Sequence, residues 1–312
     1  MSTRSNWSRR QFLQHASVGA AIAVTAPSGL FAAADDFPVI DCHAHIYSLD
    51  EQTYPIIENP YRPPAGAGTV EHLRREMQAA GVKFATAIHT STFYRWDNRF
   101  TADASRDNRD VLAGVCTLNP DDPASPATLE NYVTNYNIRG MRSIPALSNK
   151  LDDPGVDALW GIAEKLGIVI NVLVNADRQG EIEALVERHP KLRIVLDHCL
   201  NIKAGPTLEP TVAAMQALAA LPTVHAKLSF MATGSAGEYP FTDMHAPCLA
   251  VIEAYGPERC VWGSDFPCEL WTPKASYAQN LRLFTHELGL DRAAQRAILW
   301  ETPHRLWFAD RA

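Results

Sequence analysis

Short apolar runs recur along the chain from residue 37 onward, and longer amphipathic stretches separate them. Each run is about 5–8 residues long and rich in aliphatic or β-branched side chains, which is typical of a parallel strand buried on both faces. The eight predicted strands are Val39–His43, Phe84–His89, Leu112–Leu118, Ile138–Ser143, Ile168–Val174, Leu192–Asp197, Thr223–Ser229 and Cys260–Ser264.

Apolar positions spaced three and four residues apart predict helices between these strands. The clearest are Val70–Ala80, Val156–Leu166, Gly180–Arg188, Val212–Leu221 and Tyr277–Leu288. Gly81 and Gly167 follow two of them as stop signals. Strands and helices in alternation predict an α/β fold, a single-domain (β/α)8 TIM barrel over residues 35–312. A doubly wound sheet would need a glycine-rich turn after the first strand, and His-Ala-His stands there instead.

The longest loop-like stretch runs from Ile46 to Gly68 and is rich in proline and glycine. It follows the first strand, so in a barrel it lies on the catalytic face. We interpret it as a lid or pocket wall, with an inert surface loop as the alternative.

Residues 1–34 have the pattern of an export signal. The paired arginines Arg9 and Arg10 precede Phe12 and Leu13, an apolar run follows, and the segment ends in three alanines. This arrangement resembles a twin-arginine signal, which predicts a periplasmic or secreted protein and the twin-arginine export machinery as a partner. The apolar run is too short and interrupted for a membrane span, so we expect no stable membrane anchor after cleavage.

Charge and cysteine content narrow the possible partners. The net charge is −7, and residues 1–34 contribute three arginines and no acid, so the body is more acidic still. An acidic body argues against nucleic acid and leaves a small-molecule substrate. The six cysteines form no CxxC pair, and we expect buried free thiols rather than a disulfide framework. A homo-oligomer is compatible with the sequence, which does not determine the oligomeric state.

Polar side chains stand at the ends of the predicted strands, where a barrel places its active site. They are His43, His45, His89, Arg142, His198, Ser229 and Asp265. Alternation puts His43 and His45 on one side of the first strand. A lone histidine here is usually structural, Asp265 alone could be a turn residue, and Arg142 alone a surface ion pair. Together they predict one shared active site.

These residues give the chain a resemblance to the amidohydrolase superfamily. Within it, the chain looks like the amidohydrolase-2 group and its branch of 2-pyrone-4,6-dicarboxylate lactonases and sugar-lactone hydrolases. The resemblance rests on Val39–His45, Asp97–Arg99, Ile138–Arg142, Val195–His198, Val261–Pro267 and Thr302–Trp307.

The resemblance implies roles for the residues at the barrel mouth. Asp265 would deprotonate the attacking water and return the proton to the leaving alkoxide. His43 and His45, with Asp265, would hold a divalent metal, or the two histidines would bind the substrate's carbonyl or carboxylate. His198 would polarise the scissile carbonyl.

The same resemblance implies a substrate-binding set. Arg142 would pair with a substrate carboxylate, which its planar fork suits. His89, Asn98 and Arg99 would contribute to the pocket from the end of the second strand and the loop after it.

The sequence departs from metal-dependent members at two places. The fifth strand offers Asn171 or Asn175 instead of a histidine, and the fourth has no lysine, so we expect no binuclear centre. One divalent metal, zinc or manganese, and a metal-free site stay equal alternatives. Cys268 stands where relatives often have histidine, and the segment from it to Trp271 is either pocket lining or plain loop.

The predicted function is hydrolysis of a small polar lactone, with or without a carboxylate, by an activated water beside positive charge. A metal-dependent decarboxylase of the same group is one alternative. Hydrolysis of an amide or phosphoester is another, and a non-catalytic periplasmic binding barrel is the alternative outside enzymes. The fold alone does not decide among them.

Overall fold

A computed structural model describes residues 37–311, and the predicted export signal at 1–34 lies outside them. Eight parallel strands pair in the order of the sequence, each with its neighbours along the chain. The strands are β1 (Val39–His45), β2 (Val82–Ile88), β3 (Leu112–Thr117), β4 (Ile138–Ser143), β5 (Val169–Val172), β6 (Arg193–Leu196), β7 (Val224–Leu228) and β8 (Cys260–Trp262).

The first and last strands meet through the residues that follow β8. The backbone N–H of His45 donates to the carbonyl of Phe266 at 2.7 Å, and that of Asp265 donates to the carbonyl of His43 at 2.9 Å. These bonds bring β1 and β8 together and close the sheet almost completely. The predicted (β/α)8 barrel is confirmed.

Helices connect successive strands and cover the barrel. The longer ones are α1 (Val70–Ala80), α2 (Arg99–Asp107), α3 (Ser125–Asn135), α4 (Pro154–Leu166), α5 (Gln179–Arg188), α6 (Leu208–Leu218), α7 (His245–Tyr255) and α8 (Tyr277–Arg282). Gly81 and Gly167 end α1 and α4 with φ of 71° and 67°, as their sequence positions predict. The helix predicted over Tyr277–Leu288 continues from α8 as a π-helical turn at Leu283–Glu287.

Several predicted strands are longer than those in the structure. β5 ends at Val172, although the apolar run continues to Val174, whose side chain is still buried. An apolar residue in a βα loop packs against the core without joining the strand ladder, so hydrophobicity overestimates the strand. β1 instead extends two residues beyond its prediction to His45, which pairs with Ile88 across an irregularity between Asp41 and Ala44.

The core has an outer layer between strands and helices and a smaller inner cluster. The inner cluster combines seven residues from six strands with Leu306, Trp307 and Phe308 of the C-terminal segment. Its strand residues are Ile40, Cys42, Phe84, Ala113, Val169, Val195 and Val261. All six cysteines are buried and free, as predicted. Among residues 37–311, no helix is long and apolar enough to cross a membrane.

Candidate active site

Three buried side chains converge at the mouth of the barrel. Nε2 of His43 lies 3.6 Å and Nε2 of His45 lies 3.8 Å from Oδ1 of Asp265. One ligand atom from each of the three lies within 4.8 Å of the others, so the group could hold a metal ion. The ends of the first and eighth predicted strands indicate this set, and the structure brings the three side chains together.

The backbone after β8 is shaped to aim Asp265 at the histidines. Asp265 has a left-handed φ of 56°, which is uncommon for a residue other than glycine. The preceding Ser264 is anchored by Asp41, which accepts hydrogen bonds from its N–H at 2.9 Å and its hydroxyl at 2.6 Å. The Tyr277 hydroxyl donates to the same carboxylate at 3.0 Å. Asp41 therefore fixes the backbone at Ser264, which leads directly to Asp265.

Hydrogen bonding fixes the tautomer of His45. Its Nδ1 lies 3.0 Å from the carbonyl oxygen of Ile88. A carbonyl only accepts, so Nδ1 carries the proton and the lone pair of Nε2 faces Asp265. Such a backbone contact behind a histidine is the usual way to orient a metal or substrate ligand.

Arg142 enters the site beside His43. Its Nη2 lies 2.8 Å from Nε2 of His43, and its Nε donates to Oδ2 of Asp197 at 3.0 Å. A guanidinium only donates, so Nε2 of His43 accepts here and Nδ1 holds the proton. A metal ion would use the same lone pair, so it would replace this hydrogen bond. Arg142 itself places a permanent positive charge beside Nε2 of His43.

Asp197 holds two buried cations at once. Lys227, fully buried on β7, lies 2.8 Å from Oδ1 of Asp197, while Arg142 occupies the other oxygen. Asn171 donates to Oδ1 at 3.3 Å. Burial opposes ionisation, yet the charges of Lys227 and Arg142 hold the pKa of Asp197 well below its usual range. The carboxylate is therefore ionised and fixes both cations beneath the site.

Lys227 is not among the site residues that the sequence predicts. Its signal was a single lysine in the middle of the apolar strand β7, where an unpaired charge would be costly. Asn171, identified as the residue in place of a β5 histidine, bonds to Asp197 and so supports the charged cluster.

The environment of Asp265 favours proton transfer. Burial raises the pKa of this carboxyl above its ordinary value, and the charges of His198 and Arg142 oppose the rise. A carboxylate with a raised pKa is a stronger base than one in water, which suits the removal of a proton from a bound water molecule.

His198 completes the group from the end of β6. Its ring centroid lies 4.5 Å from that of His43, and the side chain is partly exposed. Its Nδ1 lies 2.9 Å from the Ser229 hydroxyl. The four residues His198–Asn201 all have φ between 48° and 60°, a left-handed turn that costs about 1–2 kcal/mol per residue. Strain of this kind persists where surrounding contacts hold a functional side chain in place.

Two further predicted site residues, Asn98 and Arg99, bind other parts of the protein. The Asn98 amide donates to the carbonyls of Trp96 and Thr117 and accepts from the Thr117 N–H, all at 2.8–2.9 Å. The Arg99 side chain is 54% exposed and pairs with Asp97. The Asn98 contacts hold the loop after β2 against β3, and the Arg99 ion pair lies on the surface of that loop. A role for either residue in substrate binding stays a prediction.

His89 is buried at the end of β2. Its Nε2 lies 2.9 Å from the Arg95 carbonyl oxygen, and its Nδ1 lies 3.3 Å from the Thr101 hydroxyl. Both ring nitrogens thus have protein partners. Its predicted contact with substrate stays a prediction.

His89 makes stability depend on pH. Burial lowers its pKa from 6.5 to about 4, so the unfolded chain takes up a proton below pH 6.5 that the folded chain does not. Its stabilising contribution is present above pH 6.5 and is lost as pH falls toward 4. We expect His89→Gln to reduce the loss of unfolding free energy between pH 6.5 and 5 by up to about 2 kcal/mol. Urea unfolding at pH 7 and pH 5 checks this. His286→Gln, at an exposed position, is the control, and an unchanged pH dependence in the His89 variant would contradict the assignment.

Comparison with known proteins identifies the family. An amidohydrolase family model matches residues 40–309. L-fucono-1,5-lactonase from Burkholderia ambifaria is 29% identical over 246 residues, which cover 73% of this chain and 80% of that protein.

Solved structures share the barrel. A Pseudomonas putida protein described as a 2-pyrone-4,6-dicarboxylic acid hydrolase superposes with a TM-score of 0.72 at 23% identity, covering 86% of this chain and 97% of that one. An amidohydrolase from Burkholderia multivorans with bound zinc gives 0.70 at 24% identity, covering 87% and 99%. At these identities the likeness concerns the fold, and the family match concerns almost all of the barrel. The chain therefore belongs to the amidohydrolase family and is a hydrolase.

Proposed function

We propose that this protein hydrolyses a small polar lactone. The observation that carries the proposal is the buried Asp265 carboxylate, less than 4 Å from two histidines whose tautomers are set by neighbouring groups. The similarity to an L-fucono-1,5-lactonase supports a cyclic ester as the substrate. Neither a carboxylate nor a particular ring is required by this arrangement.

The reaction needs one base and a source of positive charge. Asp265 takes a proton from a water molecule as its oxygen attacks the acyl carbon of the lactone. Arg142 and His198 stabilise the negative charge that develops on the carbonyl oxygen. The bond between the acyl carbon and the ring oxygen then breaks. Asp265 returns the proton to the leaving alkoxide, so the product is an open-chain hydroxy acid with one water added.

A single divalent cation, zinc or manganese, fits the ligand set. His43, His45 and Asp265 would hold it, and three protein ligands are the usual number for catalytic zinc. Such an ion lowers the pKa of a bound water and polarises a carbonyl. Arg142 supplies positive charge at His43 when no ion is present, so the role of Asp265 as base is the same in both cases.

Metal content should not exceed one ion per chain. Within residues 37–311, one group of three or more close metal-ligating side chains is present, and its three ligands are the number that a single ion needs. Elemental mass spectrometry of protein purified without chelator measures this. Two tightly bound ions per chain would contradict the proposed site.

The proposed activity is tested with a panel of five- and six-membered lactones. Each hydrolysis releases one equivalent of acid, which a pH-stat records above the spontaneous rate. Aromatic carboxylic acids, with carbon dioxide release as the readout, test decarboxylation in parallel. Acid release from lactones is expected. Carbon dioxide release without lactone hydrolysis would replace the proposal with a decarboxylase.

A further inference from the structure

The Tyr47 hydroxyl is buried and lacks a well-aligned hydrogen-bond partner. Tyr47 is 3% exposed, yet its hydroxyl makes no hydrogen bond of acceptable geometry, although Trp271 and Thr90 lie near it. Leaving a buried polar group unpaired costs roughly 1–3 kcal/mol, so such a group calls for an explanation. Tyr47 follows His45 by two residues at the start of the loop that covers the barrel mouth.

Trp271 presents a second unpaired donor in the same place. Its indole Nε1 is buried and has no hydrogen-bond partner. Its ring centroid lies 5.4 Å from the ring of His45, and the Tyr61 ring packs edge-on against it at 5.0 Å. Trp271 therefore lies beside a catalytic histidine, and its Nε1 is near the Tyr47 hydroxyl without a well-aligned hydrogen bond between them.

The position of Tyr47 is fixed by its surroundings. Its N–H donates to the Gly68 carbonyl at 2.9 Å, and its ring packs edge-on against Phe93 at 5.0 Å. Gly68 has a φ of 81°, and a Cβ there would lie 2.6 Å from the Tyr47 ring. The close approach of this glycine holds the ring where it is, which a substrate-binding side chain requires.

The charges around the site do not favour an anionic substrate. Arg142 and Lys227 are both held by Asp197, and Asp265 adds a second negative charge. The two permanent cations are thus matched by two carboxylates, and the neutral donors Tyr47 and Trp271 lack well-aligned acceptors in the protein.

We propose that the Tyr47 hydroxyl and Trp271 Nε1 bind ring hydroxyls of an uncharged, hydroxylated lactone and so determine specificity. This rests on the proposed lactone hydrolysis. A substrate hydroxyl supplies the well-aligned acceptor that neither donor has in the protein. A lactone without hydroxyls leaves them unpaired, and a site built to hydrogen-bond a substrate discriminates strongly against such an analogue.

The test compares Tyr47→Phe with the wild-type protein on two lactones of equal ring size. One is a 1,5-lactone of a neutral sugar acid, and the other is δ-valerolactone, which has no hydroxyl. We expect the variant to lose about 10- to 100-fold in kcat/KM on the sugar lactone and less than about 2-fold on δ-valerolactone. Trp271→Phe should show the same selectivity. An equal loss on both lactones, or no loss on either, would overturn the proposal.

Tyr255→Phe is the matched control. Tyr255 is also a buried tyrosine whose hydroxyl has no partner, but it lies on α7. Its substitution should change neither rate. A carboxylated substrate such as 2-pyrone-4,6-dicarboxylate is the third probe, and faster turnover of it than of every neutral sugar lactone would overturn the charge argument.

A binding measurement separates this inference from the proposed function. If the wild-type protein hydrolyses no lactone of the panel, the proposed function fails. Titration calorimetry with δ-valerolactam and with a hydroxylated lactam of the same ring size then tests the subsite alone. Tyr47→Phe should weaken the hydroxylated lactam by about 10-fold and leave δ-valerolactam unchanged. Equal affinities of the wild type and the variant for the hydroxylated lactam would overturn the subsite.

Discussion

Replacing Asp265 with Asn is expected to lower kcat for lactone hydrolysis by at least about 100-fold. The asparagine amide cannot accept the proton of the attacking water. It has the same size and shape as the aspartate carboxylate, so the substitution changes little else. The side chain is buried against His43 and His45, so a carboxylate from the buffer cannot reach this position and act as the base instead. Steady-state kinetics on the best lactone of the panel provide the measurement.

Two checks separate loss of the base from other effects. Metal content of Asp265→Asn shows whether a lost ligand, rather than a lost base, explains the rate. Asp310→Asn removes a surface carboxylate that pairs with Arg139, and should retain activity within about 3-fold. Near-wild-type turnover of Asp265→Asn would remove it from the role of general base.

Replacing Asp197 with Asn is expected to reduce the unfolding free energy by about 3–5 kcal/mol. The change leaves Arg142 and Lys227 buried without a counter-charge, and both are within 3.0 Å of that carboxylate in the intact protein. Urea denaturation followed by circular dichroism measures the loss. Glu301→Gln, in a half-exposed ion pair with Arg296, should cost less than about 1 kcal/mol.

The double variant tests the cause. Asp197→Asn combined with Lys227→Met removes one of the unpaired cations, so part of the lost stability should return. A double variant less stable than Asp197→Asn alone, or a single variant within about 1 kcal/mol of wild type, would contradict a charge-based role.

The pattern of apolar runs predicts the barrel because each strand is buried on both faces, and so few alternatives fit the alternation. Strand ends are less certain, as at Val174, because burial continues into the loops beyond the last ladder hydrogen bond. The polar residues at the strand ends predict the site for a related reason. In a parallel barrel, all carboxyl ends face one side, so His43, His45 and Asp265 must meet there.

Contacts between distant parts of the chain could not be predicted in the same way. A charged residue such as Lys227 is unexpected in an apolar strand, and only the structure shows that Asp197 lies beside it as its counter-charge. Asn98 looks like a pocket residue because it lies after β2, but its amide binds the Thr117 backbone of β3. Tyr47 carries no signal in the sequence, since only the packed structure shows that its hydroxyl lacks a partner.

A single turnover in ¹⁸O-labelled water, with enzyme in excess over lactone, tests the central claim most directly. If Asp265 activates water for attack on the acyl carbon, one ¹⁸O atom appears in the product carboxylate and the peptide containing Asp265 stays unlabelled. If Asp265 attacks the lactone itself and water then hydrolyses the resulting anhydride at the aspartyl carbonyl, the product of the first turnover contains only ¹⁶O and the label enters the Asp265 carboxylate. The account predicts the first result, and the second would contradict it.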